Sequence, residues 1–208
     1  AATTPDFVAA VRSALAGPRD VAGPEPPTWA DRTAVMRQIV NDLAGGEPQA
    51  PAVVFVTHSG QPGGAELALV RYLRLTRLPA ALVALEDSPL WRTQPHPVRV
   101  LRSGVRGLPS LRRQLRQHAD SLVVANTMRA ALLTALSAPR RTRIVYWVRD
   151  GLVDSAMTRH ALALTRRITV PRMHAFLANS EWTASTVREM SPGARVAVAA
   201  SPCGVRDE

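Results

Sequence analysis

The chain has 208 residues, 46% hydrophobic and 20% charged, which is ordinary globular composition and suits one substantial domain with an appendage. Its formal charge is +10 and all 26 basic residues are arginine. They are scattered, with short clusters at Arg112-Arg113-Arg116, Arg140-Arg141-Arg143 and Arg166-Arg167, which argues against a nucleic-acid partner and leaves a basic face that attracts anionic substrates or a membrane surface. The apolar runs are too short to cross a bilayer, the first residues show no basic-then-apolar leader, and the one cysteine, Cys203, excludes an internal disulfide and a multi-cysteine zinc site. The expectation is a soluble, cytoplasmic protein, with peripheral membrane contact left open, and no bound metal.

Residues Pro5 to Ala16 read as a helix, with Thr4 as cap and Phe7, Val8, Val11 and Leu15 on one face. A proline-bearing segment, Gly17 to Pro27, follows as an extended linker. Thr28 caps a second helix, Trp29 to Leu43, which Gly45-Gly46 end before another proline-bearing stretch. Residues 1–50 are therefore expected to form a helical extension with proline-rich linkers, and residues 51–205 the main domain.

From Ala52 onward short apolar runs alternate with amphipathic stretches, the pattern of buried parallel strands and their crossover helices. Strands are expected at Ala52–Val56, Ala80–Leu85, Val98–Leu101, Ser121–Ala125, Ile144–Val148, His174–Ala178 and Arg195–Ala199. Helices are expected at Ala65–Leu75, Leu108–His118, Met128–Leu136, Ser155–Ile168 and Glu181–Met190. The alternation predicts an α/β fold: a Rossmann-like, doubly wound, mostly parallel sheet flanked by helices.

In such a sheet ligands bind outside the carboxyl ends of the strands, so the loops after strands are the ones to read. The first runs from Thr57 through His58, Ser59, Gly60, Gln61, Pro62, Gly63 and Gly64 into a helix bearing Glu66 in its first turn. Glycine lets a ligand approach the backbone, and the amides at the helix start favour phosphate or carboxylate. Glu66 also suits the positive end of the helix dipole, and a tight turn that binds nothing would look the same. Glu86 and Asp87 stand where a dinucleotide's ribose would be held, but Gly60, Gly63 and Gly64 do not have the G-x-G-x-x-G spacing, and no G-K-[ST] follows for a Walker loop. Asn126 follows a strand and offers either acceptor contact or a cap for the helix at Met128, together with Thr127; Arg149 and Asp150 offer ligand contact or ion pairing; Ser180, beside Asn179, is placed to cap the helix at Glu181. His96, His118 and His160 lack ligand spacing for a metal.

The Gly63-Gly64-Ala65-Glu66 loop resembles the G-G-A-E element opening the first helix of family-4-like glycosyltransferases. Tyr146-Trp147-Val148-Arg149-Asp150 resembles that family's strand ending in a polar pair, Ala178-Asn179-Ser180-Glu181-Trp182-Thr183-Ala184 its A-N-S-x-x-T-A helix start, and Ser201-Pro202-Cys203-Gly204-Val205 its P-N-G-V turn, with Cys203 in place of asparagine. The resemblance covers residues 52 to 205. It implies the N-terminal, acceptor-side domain of a retaining enzyme of the GT-B fold, with Gly63, Gly64, Glu66, His58, Asn126, Arg149, Asp150, Asn179 and Ser180 toward substrate. It also implies a nucleotide-sugar donor, an unidentified acceptor, no cofactor, and a C-terminal donor-binding domain to which nothing in this sequence corresponds, so that the chain alone is inactive. A non-catalytic Rossmann-like binding module and an NAD-binding oxidoreductase domain are the alternatives.

Overall fold

The computed structural model describes residues 28–44, 53–102 and 104–199. The expected Pro5–Ala16 helix, the linker after it and the turn at Ser201–Val205 with Cys203 lie outside the described residues.

The apolar run Val53–Thr57 is buried at every position because both of its faces are covered. Val53 and Phe55 enter one apolar cluster, while Val54 and Val56 enter another on the opposite side of the sheet. Successive side chains of a strand point to opposite faces, so a run apolar at every position is the signature of a central strand. The same holds for β2 (Ala80–Ala84), β4 (Leu122–Ala125), β5 (Ile144–Val148) and β6 (Ala175–Ala178), numbering Val53–Thr57 as β1. The edges are short: β3 (Val98–Val100) and β7 (Val196–Val198) have three residues each and are partly exposed.

All seven strands pair in parallel, in the order β3-β2-β1-β4-β5-β6-β7. The chain winds outward from β1 to β3, then returns to lay β4 against the other side of β1. The order therefore reverses between β1 and β4, and this Rossmann-like arrangement opens a crevice at their carboxyl ends.

Helices α1 (Trp29–Ala44) and α2 (Gly64–Leu75) cover the first face, where Met36, Val40, Leu69, Tyr72 and Leu73 meet Phe55 and Trp147. Although α1 falls within the expected extension, it packs on this core, and Arg71 of α2 stacks over Trp29 with 5.2 Å from guanidinium carbon to ring centroid. The one-turn helix α3 (Pro89–Arg92) was not expected; Ser88 caps it, Pro89 occupies its first turn and Trp91 is buried. The other face carries α4 (Leu108–Gln117), α5 (Met128–Ser137), α6 (Arg159–Leu164) and α7 (Glu181–Met190). The helix expected over Ser155–Ile168 begins only at Arg159, where Thr158 caps it, and passes into a π turn at Thr165–Thr169 and a 3-10 turn at Val170–Arg172. Pro171 has no amide to extend a regular ladder there. The remaining elements match the expected ones to within one or two residues at each end.

Candidate functional site

The loops after β1, β4, β5 and β6 and the start of α2 enclose a cleft of about 770 Å³ at the point where strand order reverses. His58, Gly64, Glu66, Asn179, Arg149 and Asp150, all expected on sequence grounds, line it. So do Thr127, weighed from the sequence for acceptor contact or capping, and Arg129, which sequence reasoning did not assign to the site. A second hollow, about 590 Å³, lies toward the amino ends of β2 and β3 between Pro79, Pro97 and His118; it is mostly apolar and gathers none of these groups.

Arg149 organises the floor of the cleft. It leaves the end of β5, and its guanidinium carbon sits 3.6 Å from the centroid of the Trp147 ring. Nη2 donates to Asn126 Oδ1 at 3.2 Å, while Asn126 Nδ2 donates to the Ala65 carbonyl at 3.1 Å. Asn126 is fully buried, so its amide joins the end of β4, the first turn of α2 and β5 in one network. Asn179 joins β6: Nδ2 donates to the Arg149 carbonyl at 3.0 Å and Oδ1 accepts from Thr183 Oγ1 at 2.8 Å. Asn126, fully buried with both ends of its amide engaged, fixes geometry and offers no surface to a ligand, whereas the half-buried Asn179 still lines the cleft. The structure thus separates the expected residues: Asn126 and Asn179 position Arg149, and Ser180 caps α7 by accepting from the Thr183 amide at 3.1 Å. Asn126 does not cap α5; Thr127 does, accepting from the Ala130 amide at 3.3 Å.

Glu66 is the least expected feature. A carboxylate in a first helical turn normally faces water, but this residue is only 5% exposed, and Oε1 has no hydrogen-bond partner among the described residues. Burial raises its pKa above the ordinary carboxyl value, more than its own backbone amide and the Arg149 charge lower it. Arg149 mirrors this: burial lowers its pKa to about 9, against the opposing charges of Glu66 and Asp150. Gly63 makes room for the carboxylate, since a Cβ there would stand 2.7 Å from Glu66 Oε2. A Cβ at Gly64 would meet nothing within 4 Å, so the backbone of the first turn is open to the cleft.

His58 closes the opposite wall, with Nδ1 2.6 Å from Thr127 Oγ1. Because Thr127 Oγ1 accepts from the Ala130 amide, directing its hydrogen to Nδ1 satisfies both groups and assigns the ring proton to Nε2. Burial, followed by the nearby Arg129 charge, lowers the His58 pKa, so the ring is neutral at neutral pH and presents a donor. Gly60 donates its amide to Glu86 Oε2 at 3.2 Å, and a Cβ at Gly60 would overlap the Asp87 carbonyl. The acid at the end of β2 is therefore engaged by the glycine loop.

No group of three or more His, Cys, Asp or Glu side chains among the described residues is arranged to hold a metal ion. His96 does have a partner, its Nε2 lying 2.9 Å from the Leu73 carbonyl. No helix among the described residues is long and apolar enough to cross a membrane.

No protein-family model matches the chain, and no curated protein matches it. Solved structures do match. HepE of Anabaena in complex with UDP and glucose superposes with a TM-score of 0.56 at 24% identity, covering 71% of this chain and 43% of that chain. The same protein with UDP-glucose gives a TM-score of 0.56 at 24% identity, over 70% of this chain and 42% of that one. With UDP alone the values are 0.55 and 24%, over 70% and 43%. The likeness is one of fold, and the chain spans less than half the length of the HepE chain it matches.

Proposed function

We propose that this chain is the acceptor-side lobe of a two-lobed, retaining glycosyltransferase of GT-B architecture that moves a sugar from a nucleotide-sugar donor. The observation that carries the reading is the meeting of Gly64, Glu66, Arg149 and Asp150 in one cleft at the strand-order reversal. These residues belong to two separate sequence motifs, those that resemble family-4-like glycosyltransferases. The fold's likeness to a chain solved with UDP-glucose, of which this chain spans 42%, supports the same reading.

In this reading the lobe supplies one wall of a cleft whose other wall binds the donor. His58 Nε2 and the Asp150 carboxylate orient acceptor hydroxyls, and the open first turn of α2, with the Arg149 charge beneath it, stabilises negative charge on the departing diphosphate. Placement and electrostatic preorganisation then lower the barrier, with no metal required of this lobe. The NAD-binding alternative is disfavoured by the engagement of Glu86 with the Gly60 amide.

Three measurements test the proposal. Residues 1–208 incubated with UDP-glucose and an acceptor panel are expected to show no turnover, and robust transfer by this lobe alone would overturn the division of roles. Reading the gene beyond the codon for Glu208 is expected to reveal a second α/β domain, the donor-binding lobe. Saturable NAD binding in a fluorescence titration would replace the transferase reading with the oxidoreductase one.

A further inference from the structure

Trp182 is the most exposed of the four tryptophans, at 59%, whereas Trp91 and Trp147 are buried and Trp29 is half-buried under Arg71. An indole left in water forgoes a large burial energy, and tryptophan is among the most buried residues on average. Its position is also fixed. The six-membered ring rests over Gly151, where a Cβ would overlap Cη2, Cζ3 and Cζ2, so that glycine is what allows the ring to lie there. Ser185 Oγ donates to the Trp182 carbonyl at 2.8 Å and holds the first turn of α7. Gly151 follows Asp150, an exposed, cleft-lining residue that takes part in no side-chain hydrogen bond or ion pair among the described residues.

We infer that Trp182 and Asp150 form a saccharide subsite at the rim of the cleft, so that the acceptor is itself a sugar. The inference rests on the transferase reading and names its acceptor class. A pyranose has an apolar face of axial C–H groups and a rim of hydroxyls. The fixed, exposed indole offers a flat apolar surface for the first, and the adjoining carboxylate accepts hydrogen bonds from vicinal hydroxyls. An indole without a neighbouring acceptor would suit packing against another protein surface equally well; the Asp150 carboxylate, one residue from the glycine under the ring, is the feature that selects a polyol.

The test uses residues 1–208 and saturation-transfer NMR with methyl glucosides, galactosides and mannosides and N-acetylglucosamine, none of which contains a nucleotide. At least one sugar is expected to receive saturation at its ring C–H protons. Trp182→Ala should weaken that binding about tenfold, and Trp182→Phe, which keeps a flat ring, by no more than about threefold. Gly151→Ala leaves the indole in the sequence but displaces it from its seat, and should weaken binding as Trp182→Ala does. Equal binding by wild type and Trp182→Ala overturns the subsite, as does a panel in which no sugar is bound. Neither result bears on the lobe assignment, which the transfer assay and the downstream sequence judge separately.

Discussion

Arg149 and Glu66 are each held away from their ordinary pKa by burial, and each moderates the other's shift. Replacing Arg149 with methionine removes the cation facing Glu66 and the bond to Asn126 Oδ1, so Glu66 should bind its proton still more tightly. A carbon-detected NMR titration of the Glu66 carboxyl is expected to show that rise. The same variant should lose about 2–3 kcal/mol of stability, because a buried carboxylate and amide are left without their partner. The sign for Glu66 itself is opposite to that of a salt-bridged acid. Its folded pKa lies above its unfolded one, so its burial opposes folding fully above the folded value and not at all once both states are protonated. Glu66→Gln should therefore match or exceed the wild-type melting temperature at pH 7, with the margin closing below about pH 4, as followed by circular dichroism.

The glycines that open α2 differ in what surrounds them, and substitution should separate them. Alanine at Gly60 would collide with the Asp87 backbone carbonyl, so Gly60→Ala is expected to cost about 2 kcal/mol or more. Alanine at Gly64 meets open space at a helix start, so Gly64→Ala should fold with stability unchanged or raised by about 0.5 kcal/mol. A bulky side chain at 64 would project into the cleft without unfolding the chain and, on the proposed reading, should abolish ligand binding there. Denaturant melts of the alanine variants distinguish these cases. The sequence carries this contrast only in part. Buried strands such as Ile144–Val148 were legible because uninterrupted apolar runs have few other uses, and the helix at Glu181–Met190 because Ser180 signals its start. The π turn at Thr165–Thr169 was not, since it depends on how the chain must descend from α6 to β6 rather than on local preference. The candidate-site residues were legible as positions in the loops after strands. Whether an asparagine caps, bridges or faces ligand was not, because Asn126 finds its partners at Ala65 and Arg149, distant in sequence.

Charge is distributed unevenly over the molecule. Between Ser88 and His118 there is no acidic residue, and Arg99, Arg102, Arg106, Arg112, Arg113 and Arg116 are all exposed, from β3 through the connection after it to α4. Summed positive charge of this kind attracts an anionic surface without specific contacts. Co-sedimentation with phosphatidylglycerol vesicles should exceed that with phosphatidylcholine vesicles and fall as salt is raised. Salt should also relieve self-repulsion in the free protein, stabilising it by about 1 kcal/mol, or about 2–4 °C in melting temperature. The sheet's two borders add a different property. Each is a strand of three residues, one of them bearing the exposed Arg99. An incoming β-strand from a second molecule would find too few free backbone groups on either side to extend the ladder, so among the described residues the folded sheet offers no template for fibril growth.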